Sequence, residues 1–169
     1  GHMIKTAIFD FDGTLADTIP LCLEAFRRAV NDLDGRVLTD REIERNFGPD
    51  DLGVIRKLFP GKPEWHEHGR ELFIHYYQEL HAEMAPAPFP GTVELLHSLR
   101  NSGIRLAMVT GKRRESADIS LKFFHLDGFF PVLETGSPEG GVKTDRINRA
   151  LKRLGASARE AVYIGDSPS

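Results

Sequence analysis

The sequence predicts an α/β fold, in which a Rossmann-like parallel sheet carries a small all-helical cap inserted after its first strand. Short apolar runs alternate with helical patterns from about residue 91 onwards, which is the order of βαβ units. These runs have continuous apolar centres, as strands buried on both faces do. Between residues 17 and 86 the periodicity is helical throughout, which indicates a separate helical unit.

The composition limits the classes of function. The 169 residues carry 22 basic and 25 acidic side chains, a formal charge of −3 that argues against a nucleic-acid binder. No run reaches the ~18 apolar residues of a membrane helix, so no membrane partner is expected. The lone Cys22 cannot form an intramolecular disulfide, which fits a cytoplasmic protein. Gly1, His2 and Met3 look like a protease-cleavage scar followed by the native start.

The segment IFDFDGTLADT, residues 8–18, is predicted to be the first strand and the turn after it. Side chains alternate between the faces of a strand, so Asp10 and Asp12 point to the same side. Two carboxylates so close need a cation between them, or one must keep its proton. Gly13 allows a tight turn beside a ligand, and Thr14 offers a hydroxyl. The same sequence could also form a solvated turn at the end of a strand, without a catalytic role. The later segments distinguish the two interpretations.

The cap is predicted to contain four helices joined by short loops. Pro20 suits the first turn of the first helix, and Thr39 with Glu42 forms a capping box at the start of the second. A third helix is expected near residues 52–59. The fourth is expected over about residues 63–84, with Leu72, Phe73, Tyr76 and Leu80 on its buried face. The connector PAPFPG, residues 86–91, follows.

Helices and strands alternate after this connector. The predicted helices cover about 92–101, 114–124 and 144–154, and the predicted strands cover 104–110, the segment around Val132 and Leu133, and 161–166. Thr110 and Asp166 stand at the carboxyl ends of two of these strands, as Asp10 and Asp12 do at the first. Because such ends line one crevice in an open α/β sheet, these groups are expected to meet there. With Lys143, just before a helix, they make a phosphate-handling set.

Four motifs in order give the sequence a resemblance to a known family. DFDGT is followed by VTGK (Val109 to Lys112), then by Lys143 and by GDS (Gly165 to Ser167). This order resembles the haloacid dehalogenase superfamily, in its phosphoglycolate-phosphatase-like branch with a helical cap. The resemblance covers nearly the whole chain. It implies a discontinuous core domain of residues 4–16 and 87–169 and a cap domain of residues 17–86.

The resemblance also implies chemical roles. Asp10 would attack phosphorus and form an aspartyl-phosphate, and Asp12 would protonate the leaving alcohol and then deprotonate water. Thr110 and the backbone N–H of Gly111 would hold phosphoryl oxygens, while Lys143 would offset negative charge. Mg²⁺ would be bound by Asp10, by the backbone carbonyl of Asp12 and by Asp166.

Other residues have competing interpretations. Lys112, with Arg113 and Arg114, either adds positive potential near the phosphate or forms a solvated helix start. Gly48 is a candidate substrate loop or a helix C-cap, and Asp17 is expected to cap the first cap helix. His66, His68, His75 and His81 match no zinc spacing, so they are expected to be surface residues.

The sequence departs from the family pattern at its end. Relatives continue GDS to a second acidic residue, which would fall at position 170, one beyond Ser169. By resemblance the strand order is 5-4-1-2-3, so a missing fifth strand would leave the fourth at an edge. This predicts a C-terminally truncated form with weakened metal binding.

The predicted function is a Mg²⁺-dependent phosphatase for a small phosphomonoester such as phosphoglycolate, a nucleotide or a sugar phosphate. The expected state is a monomer or weak homodimer. A phosphomutase is the second enzyme hypothesis, which Thr14 disfavours because mutase relatives tend to carry valine there. Dehalogenation is disfavoured by Asp12, which dehalogenase relatives lack. The alternative class is a noncatalytic binding module, favoured by the absent second acid.

Overall fold

The sheet has four parallel strands and confirms the predicted α/β class. The computed structural model describes residues 3–165. The strands are β1 (Thr6–Phe9), β2 (Arg105–Val109), β3 (Val132–Glu134) and β4 (Ala161–Ile164). Their order is β3-β2-β1-β4, the relative order expected for the first four strands. Thr6 pairs with Arg105 on one side and with Ala161 on the other, so β1 lies inside the sheet.

Seven helices surround or extend from the sheet within the described residues. Four lie between β1 and β2 in the chain, before α5: α1 (Ile19–Asp34), α2 (Asp40–Glu44), α3 (Asp51–Leu58) and α4 (His66–Met84). The others are α5 (Thr92–Asn101), α6 (Arg114–Phe123) and α7 (Lys143–Leu154). None of the helices in residues 3–165 has the combination of length and apolar character needed to cross a membrane.

Local sequence signals explain where most helices begin. Pro20 lies in the first turn of α1, and Thr39 forms the predicted reciprocal capping box with Glu42. The prediction of one helix from residue 63 was wrong in its start, because Pro63–Trp65 forms a 3-10 turn and α4 begins at His66. A 3-10 turn is a common way for a chain to enter an α-helix.

The four helices after β1 pack through α1 and α4. Phe26 of α1 stacks on Phe73 of α4, with ring centroids 4.1 Å apart. The buried face of α4 differs from the predicted one, because Tyr77 is fully buried whereas Leu72 and Tyr76 are only partly buried. Tyr77 lies four residues after Phe73, so the two rings share one face of the helix.

The carboxyl edge of the sheet brings several predicted residues together. The N–H of Asp10 donates to the carbonyl of Ile164 (2.9 Å), so β1 and β4 remain paired up to this residue. The N–H of Thr110 donates to the carbonyl of Glu134 (2.9 Å), which does the same for β2 and β3. The first residues after β1 and β2 are therefore fixed by backbone bonds to neighbouring strands.

Candidate active site

Asp10 follows β1 directly, and its carboxylate contacts residues of α7 and β4. Its Oδ1 accepts a hydrogen bond from the N–H of Phe11 (2.7 Å). Its Oδ2 lies 3.7 Å from Nζ of Lys143, the first residue of α7, and 3.4 Å from the hydroxyl of Tyr163 on β4. The structure thus brings Lys143 to Asp10, as the sequence predicts.

Asp12 has a different lysine beside it. Nζ of Lys112 lies 3.3 Å from Oδ1 of Asp12, and the hydroxyl of Thr18 donates a hydrogen bond to the same oxygen. Thr18 is the residue immediately before α1 and has no capping bond to the helix. Each of the two acids therefore has its own lysine beside it, Lys143 for Asp10 and Lys112 for Asp12.

Lys112 is inserted among residues of α1 and α4. It is only 8% exposed, its Nζ donates to Sγ of Cys22 (3.1 Å), and it lies 4.4 Å from the ring centroid of Tyr77. Burial disfavours the ammonium form, but attraction to Asp12 and the contributions of Cys22 and Tyr77 together outweigh this and raise the pKa of Lys112. Interpreting Lys112 as part of a solvated helix start was therefore wrong; Arg114 does lie exposed at the start of α6.

Cys22 is a buried packing residue rather than a nucleophile. Burial raises the pKa of its thiol to about 11, in spite of attraction from Lys112. The thiol therefore stays protonated at neutral pH and is a poor nucleophile.

Two hydrogen bonds and a close backbone contact fix the loop after β2. The Oγ1 of Thr110 accepts a hydrogen bond from the N–H of Lys112 (3.1 Å), and the carbonyl of Lys112 accepts one from the N–H of Gly136 (2.8 Å). A Cβ added to Gly136 would lie 2.0 Å from the carbonyl oxygen of Gly111, so only glycine allows this approach. Gly111 is thereby fixed beside the site.

One cavity of about 490 Å³ contains most of the predicted site residues. Its size is in the range of small-molecule sites. The lining residues from the sheet side are Asp10, Asp12, Thr110, Gly111, Lys112, Ser116, Lys143 and Arg146. Those from the segment between β1 and α5 are Cys22, Phe26, Phe47, Gly48, Pro49, Asp50, Asp51, Val54 and Phe73.

The loop that contains Gly48 is packed against the sheet side. Gly48 has a φ of 135° and lines the cavity, and the N–H of Asp50 donates to the carbonyl of Ser137 (2.9 Å). Arg56 of α3 lies 3.7 Å from Glu139 in the same facing loop. These contacts hold the Gly48 loop at the cavity, which favours the substrate-loop interpretation.

Arg146 and Asp51 are among the lining residues that the sequence predictions missed. Arg146 is 8% exposed, and its side chain makes no hydrogen bond or ion pair with any described residue; its buried Nε has no partner there. Asp51 is 5% exposed; its Oδ1 accepts from the N–H of Leu52 (2.7 Å), while its Oδ2 has no partner within residues 3–165. The signal for Arg146 was its spacing of three residues from Lys143, which places both on one face of α7.

Ionisation of these two residues reflects their burial. Burial lowers the pKa of Arg146, and attraction to Asp10 opposes this. Burial, and then repulsion by Asp50, raise the pKa of Asp51 to about 6. Arg146 and Asp51 therefore add a buried basic group and a buried acidic group to the lining of the cavity, beside Lys112 and Asp50.

Other predicted residues lie elsewhere. Gly13 adopts a φ of 81° as the turn requires, but neither it nor Thr14 lines the cavity. Asp17 does not cap α1: it is exposed, and the N-cap residue is Thr18. His81 is buried, with Nε2 2.8 Å from Oγ of Ser120, so the expectation of a surface residue was wrong for this histidine.

The oxygen donors of the site suit a hard cation. The carboxylate of Asp10 and the backbone carbonyl of Asp12 lie two residues apart in the chain, and the Asp12 carboxylate already accepts from Thr18 and lies beside Lys112. The third predicted ligand, Asp166, lies outside the described residues, within which no three His, Cys, Asp or Glu side chains converge. Mg²⁺ commonly uses one or two carboxylates and completes its shell with substrate and water, so the donors fit it.

Sequence and fold are similar to those of known hydrolases. A model of haloacid dehalogenase-like hydrolases matches residues 7–169. Pyrophosphatase PpaX of Halalkalibacterium halodurans is 30% identical over 168 residues, 97% of this chain and 75% of that protein. PpaX of Listeria innocua is 29% identical over 97% of this chain and 75% of its own length. CbbY from Rhodobacter sphaeroides, solved in complex with phosphate, has a TM-score of 0.79 at 23% identity, over 95% of this chain and 77% of that one.

Proposed function

Because the chain belongs to the haloacid dehalogenase-like hydrolase family, we propose that it is a Mg²⁺-dependent phosphatase for a small phosphorylated metabolite. Family and relatives together identify an enzyme of the phosphatase type. The observation that carries the finer proposal is the cavity, in which Asp10 lies beside Lys143 and Asp12 beside Lys112. We propose that residues 4–16 and 87–169 form the core domain and residues 17–86 the cap.

Asp10 acts as the nucleophile in this proposal. A carboxylate oxygen of Asp10 forms a bond to phosphorus while the bond between phosphorus and the ester oxygen breaks, which gives an aspartyl-phosphate. Lys143, 3.7 Å from Oδ2, offsets the charge that gathers on the phosphoryl oxygens. Arg146 supplies a second cation in the same cavity and is a natural partner for a phosphoryl group.

Asp12 moves the protons. It donates one to the departing alkoxide and then takes one from the water that attacks phosphorus, which returns Asp10 and releases inorganic phosphate. The hydroxyl of Thr18 and the ammonium of Lys112 hold its carboxylate in place. Thr110 and the N–H of Gly111 bind phosphoryl oxygens from the loop after β2.

The carboxylate of Asp10, the backbone carbonyl of Asp12 and Asp166 would hold Mg²⁺. The bound ion would add positive charge at the phosphoryl group. Cap residues line the cavity and would limit the size of the substrate.

Release of inorganic phosphate from a substrate panel tests the proposal. The panel contains phosphoglycolate, a nucleoside monophosphate, a sugar phosphate and pyrophosphate, each with Mg²⁺ and with a chelator. Asp10→Asn removes the nucleophile and is expected to lower kcat on the order of 10⁶-fold, as loss of other covalent nucleophiles does. Asp17→Asn makes the same change at an exposed acid and should keep full activity. Turnover by Asp10→Asn at the level of Asp17→Asn would exclude the nucleophile role.

A further inference from the structure

Asp51 places an unpartnered hydrogen-bond acceptor among the cap residues that line the cavity. Its Oδ1 is occupied by the N–H of Leu52, but Oδ2 has no partner among the described residues although it is inaccessible to solvent. The neighbouring Asp50 is different, because its carboxylate accepts from the N–H of Gly53 (3.0 Å) and caps α3. A buried carboxylate oxygen without a donor is costly, so a donor on the ligand would satisfy it.

Cations line the cavity only from the sheet side. Lys112, Lys143 and Arg146 all belong to the chain after β2, and none of the described lining residues between α1 and α4 is a lysine, arginine or histidine. The cap side has instead three phenylalanines, Asp50 and Asp51. A phosphoryl group held at Lys143 and Arg146 would therefore direct the remainder of the substrate towards an apolar wall that contains an acid.

Building on the proposed function, we infer that the substrate is a phosphate ester whose alcohol part presents a hydrogen-bond donor, an ammonium or a hydroxyl, to Asp51. A carboxylate or a second phosphate at that position would face Asp51 and find no cation on the cap side. The raised pKa of Asp51, about 6, still leaves it mostly ionised at neutral pH, where an ammonium is the strongest partner. This preference would separate the chain from its relatives named as pyrophosphatases.

Four two-carbon phosphate esters test this inference on the wild-type chain, because they differ only at the end away from phosphorus. They are 2-aminoethyl phosphate, 2-hydroxyethyl phosphate, ethyl phosphate and phosphoglycolate. We expect kcat/KM to be about 10- to 100-fold higher for 2-aminoethyl phosphate than for ethyl phosphate, the usual value of a hydrogen bond to a charged group. Phosphoglycolate should be the poorest substrate. A preference for phosphoglycolate or pyrophosphate over ethyl phosphate would overturn the inference.

Asp51→Asn removes the charge and keeps the shape of the side chain. We expect the preference for 2-aminoethyl phosphate over ethyl phosphate to fall to within about threefold, and activity on phosphoglycolate to rise relative to ethyl phosphate. Asp40→Asn is the matched control, since Asp40 is an exposed acid in the first turn of another cap helix, α2, and does not line the cavity. If Asp51→Asn kept the wild-type preference for 2-aminoethyl phosphate over ethyl phosphate, Asp51 would not determine the substrate specificity.

Binding of phosphonates keeps the test independent of turnover. In 3-aminopropylphosphonate, propylphosphonate and 3-phosphonopropionate a CH₂ replaces the ester oxygen of three of these esters, and calorimetry measures their affinities for the wild-type chain. The same order is expected, with the amine binding most tightly. Absence of phosphate release from all four esters would speak against the proposed function, whereas tighter binding of the carboxylate than of the amine would overturn only the assignment of Asp51.

Discussion

Asp10 and Asp12 are two residues apart, yet different parts of the chain surround them. The side-chain partners of Asp10, Lys143 and Tyr163, come from α7 and β4. The partners of Asp12 are Thr18, at the start of the cap segment, and Lys112, which contacts Cys22 of α1 and Tyr77 of α4. The nucleophile candidate, Asp10, is thus positioned by residues of the core. The proton-transfer candidate, Asp12, is positioned partly by the cap.

The two acid–lysine pairs, Asp10 with Lys143 and Asp12 with Lys112, therefore have different functions. Lys143 is partly accessible to solvent and lines the cavity, so its charge is available to a bound ligand. Lys112 is nearly completely buried, so its charge interacts with Asp12 rather than with a ligand. Its contacts with α1 and α4 connect the core to the cap. A movement of α1 and α4 would therefore change the surroundings of Asp12 before those of Asp10.

Replacing each lysine by methionine provides the strongest test of this difference. Lys143→Met should lower kcat/KM by about 10²- to 10³-fold, the usual cost of losing one preorganised charge-stabilising group, with little change in stability. Lys112→Met should lower the free energy of unfolding by about 3 kcal/mol, since it breaks a largely buried ion pair. Chemical denaturation and steady-state kinetics of both variants give the comparison.

Lys152→Met is the control for these two variants, because Lys152 is an exposed lysine on α7 that does not line the cavity. It should keep both activity and stability. If Lys143→Met and Lys112→Met lost equal stability, the proposed division between a catalytic and a joining lysine would be wrong.

Asp51 extends the comparison to the cap side, where burial changes stability with pH. Its pKa is raised from 3.8 to about 6, so the folded protein binds this proton more tightly than the unfolded chain does. As the pH rises from about 4 to 6, ionisation of Asp51 therefore lowers the free energy of unfolding by roughly 3 kcal/mol. Asp51→Asn removes this cost, so its stability relative to wild type should be higher at pH 8 than at pH 4. A difference that does not vary with pH would mean that Asp51 is not buried as an acid.

The sequence was sufficient for the parts of the structure that local patterns determine. Hydrophobic runs predicted β2 and β3 to within one residue at each end and the start of β4 at Ala161, whereas β1 begins at Thr6, two residues before the predicted segment 8–18. The capping box of Thr39 and Glu42 also forms as predicted, because both partners lie within one turn. The grouping of Asp10, Thr110 and Lys143 at one cavity follows from strand topology, which the order of the segments already indicates.

Tertiary contacts explain what the sequence could not predict. The letters KRR suggest a solvated helix start, and only the position of α1 and α4 shows that Lys112 is buried. Asp17 and Thr18 are both good N-cap residues, but Asp12 takes the hydroxyl of Thr18. Burial of Arg146 and Asp51 depends on elements distant in sequence, so no local pattern indicates it.

Thr18→Val is the mildest change that separates the two acids. It keeps the shape of the side chain but removes the hydroxyl that donates to Asp12, and the loss of about 1.5 kcal/mol for such a bond to a charged group corresponds to roughly tenfold in rate. The effect on kcat/KM should be full for ethyl phosphate, whose alkoxide needs a proton to leave. It should be small for p-nitrophenyl phosphate, because nitrophenolate leaves as a stable anion. Lys143→Met should impair both substrates alike, since every phosphoryl group needs its charge. Thr18→Ser retains the donor and should stay close to wild type with either substrate. If Thr18→Val impaired both esters equally, the hydroxyl would support the structure of the site and not proton transfer by Asp12.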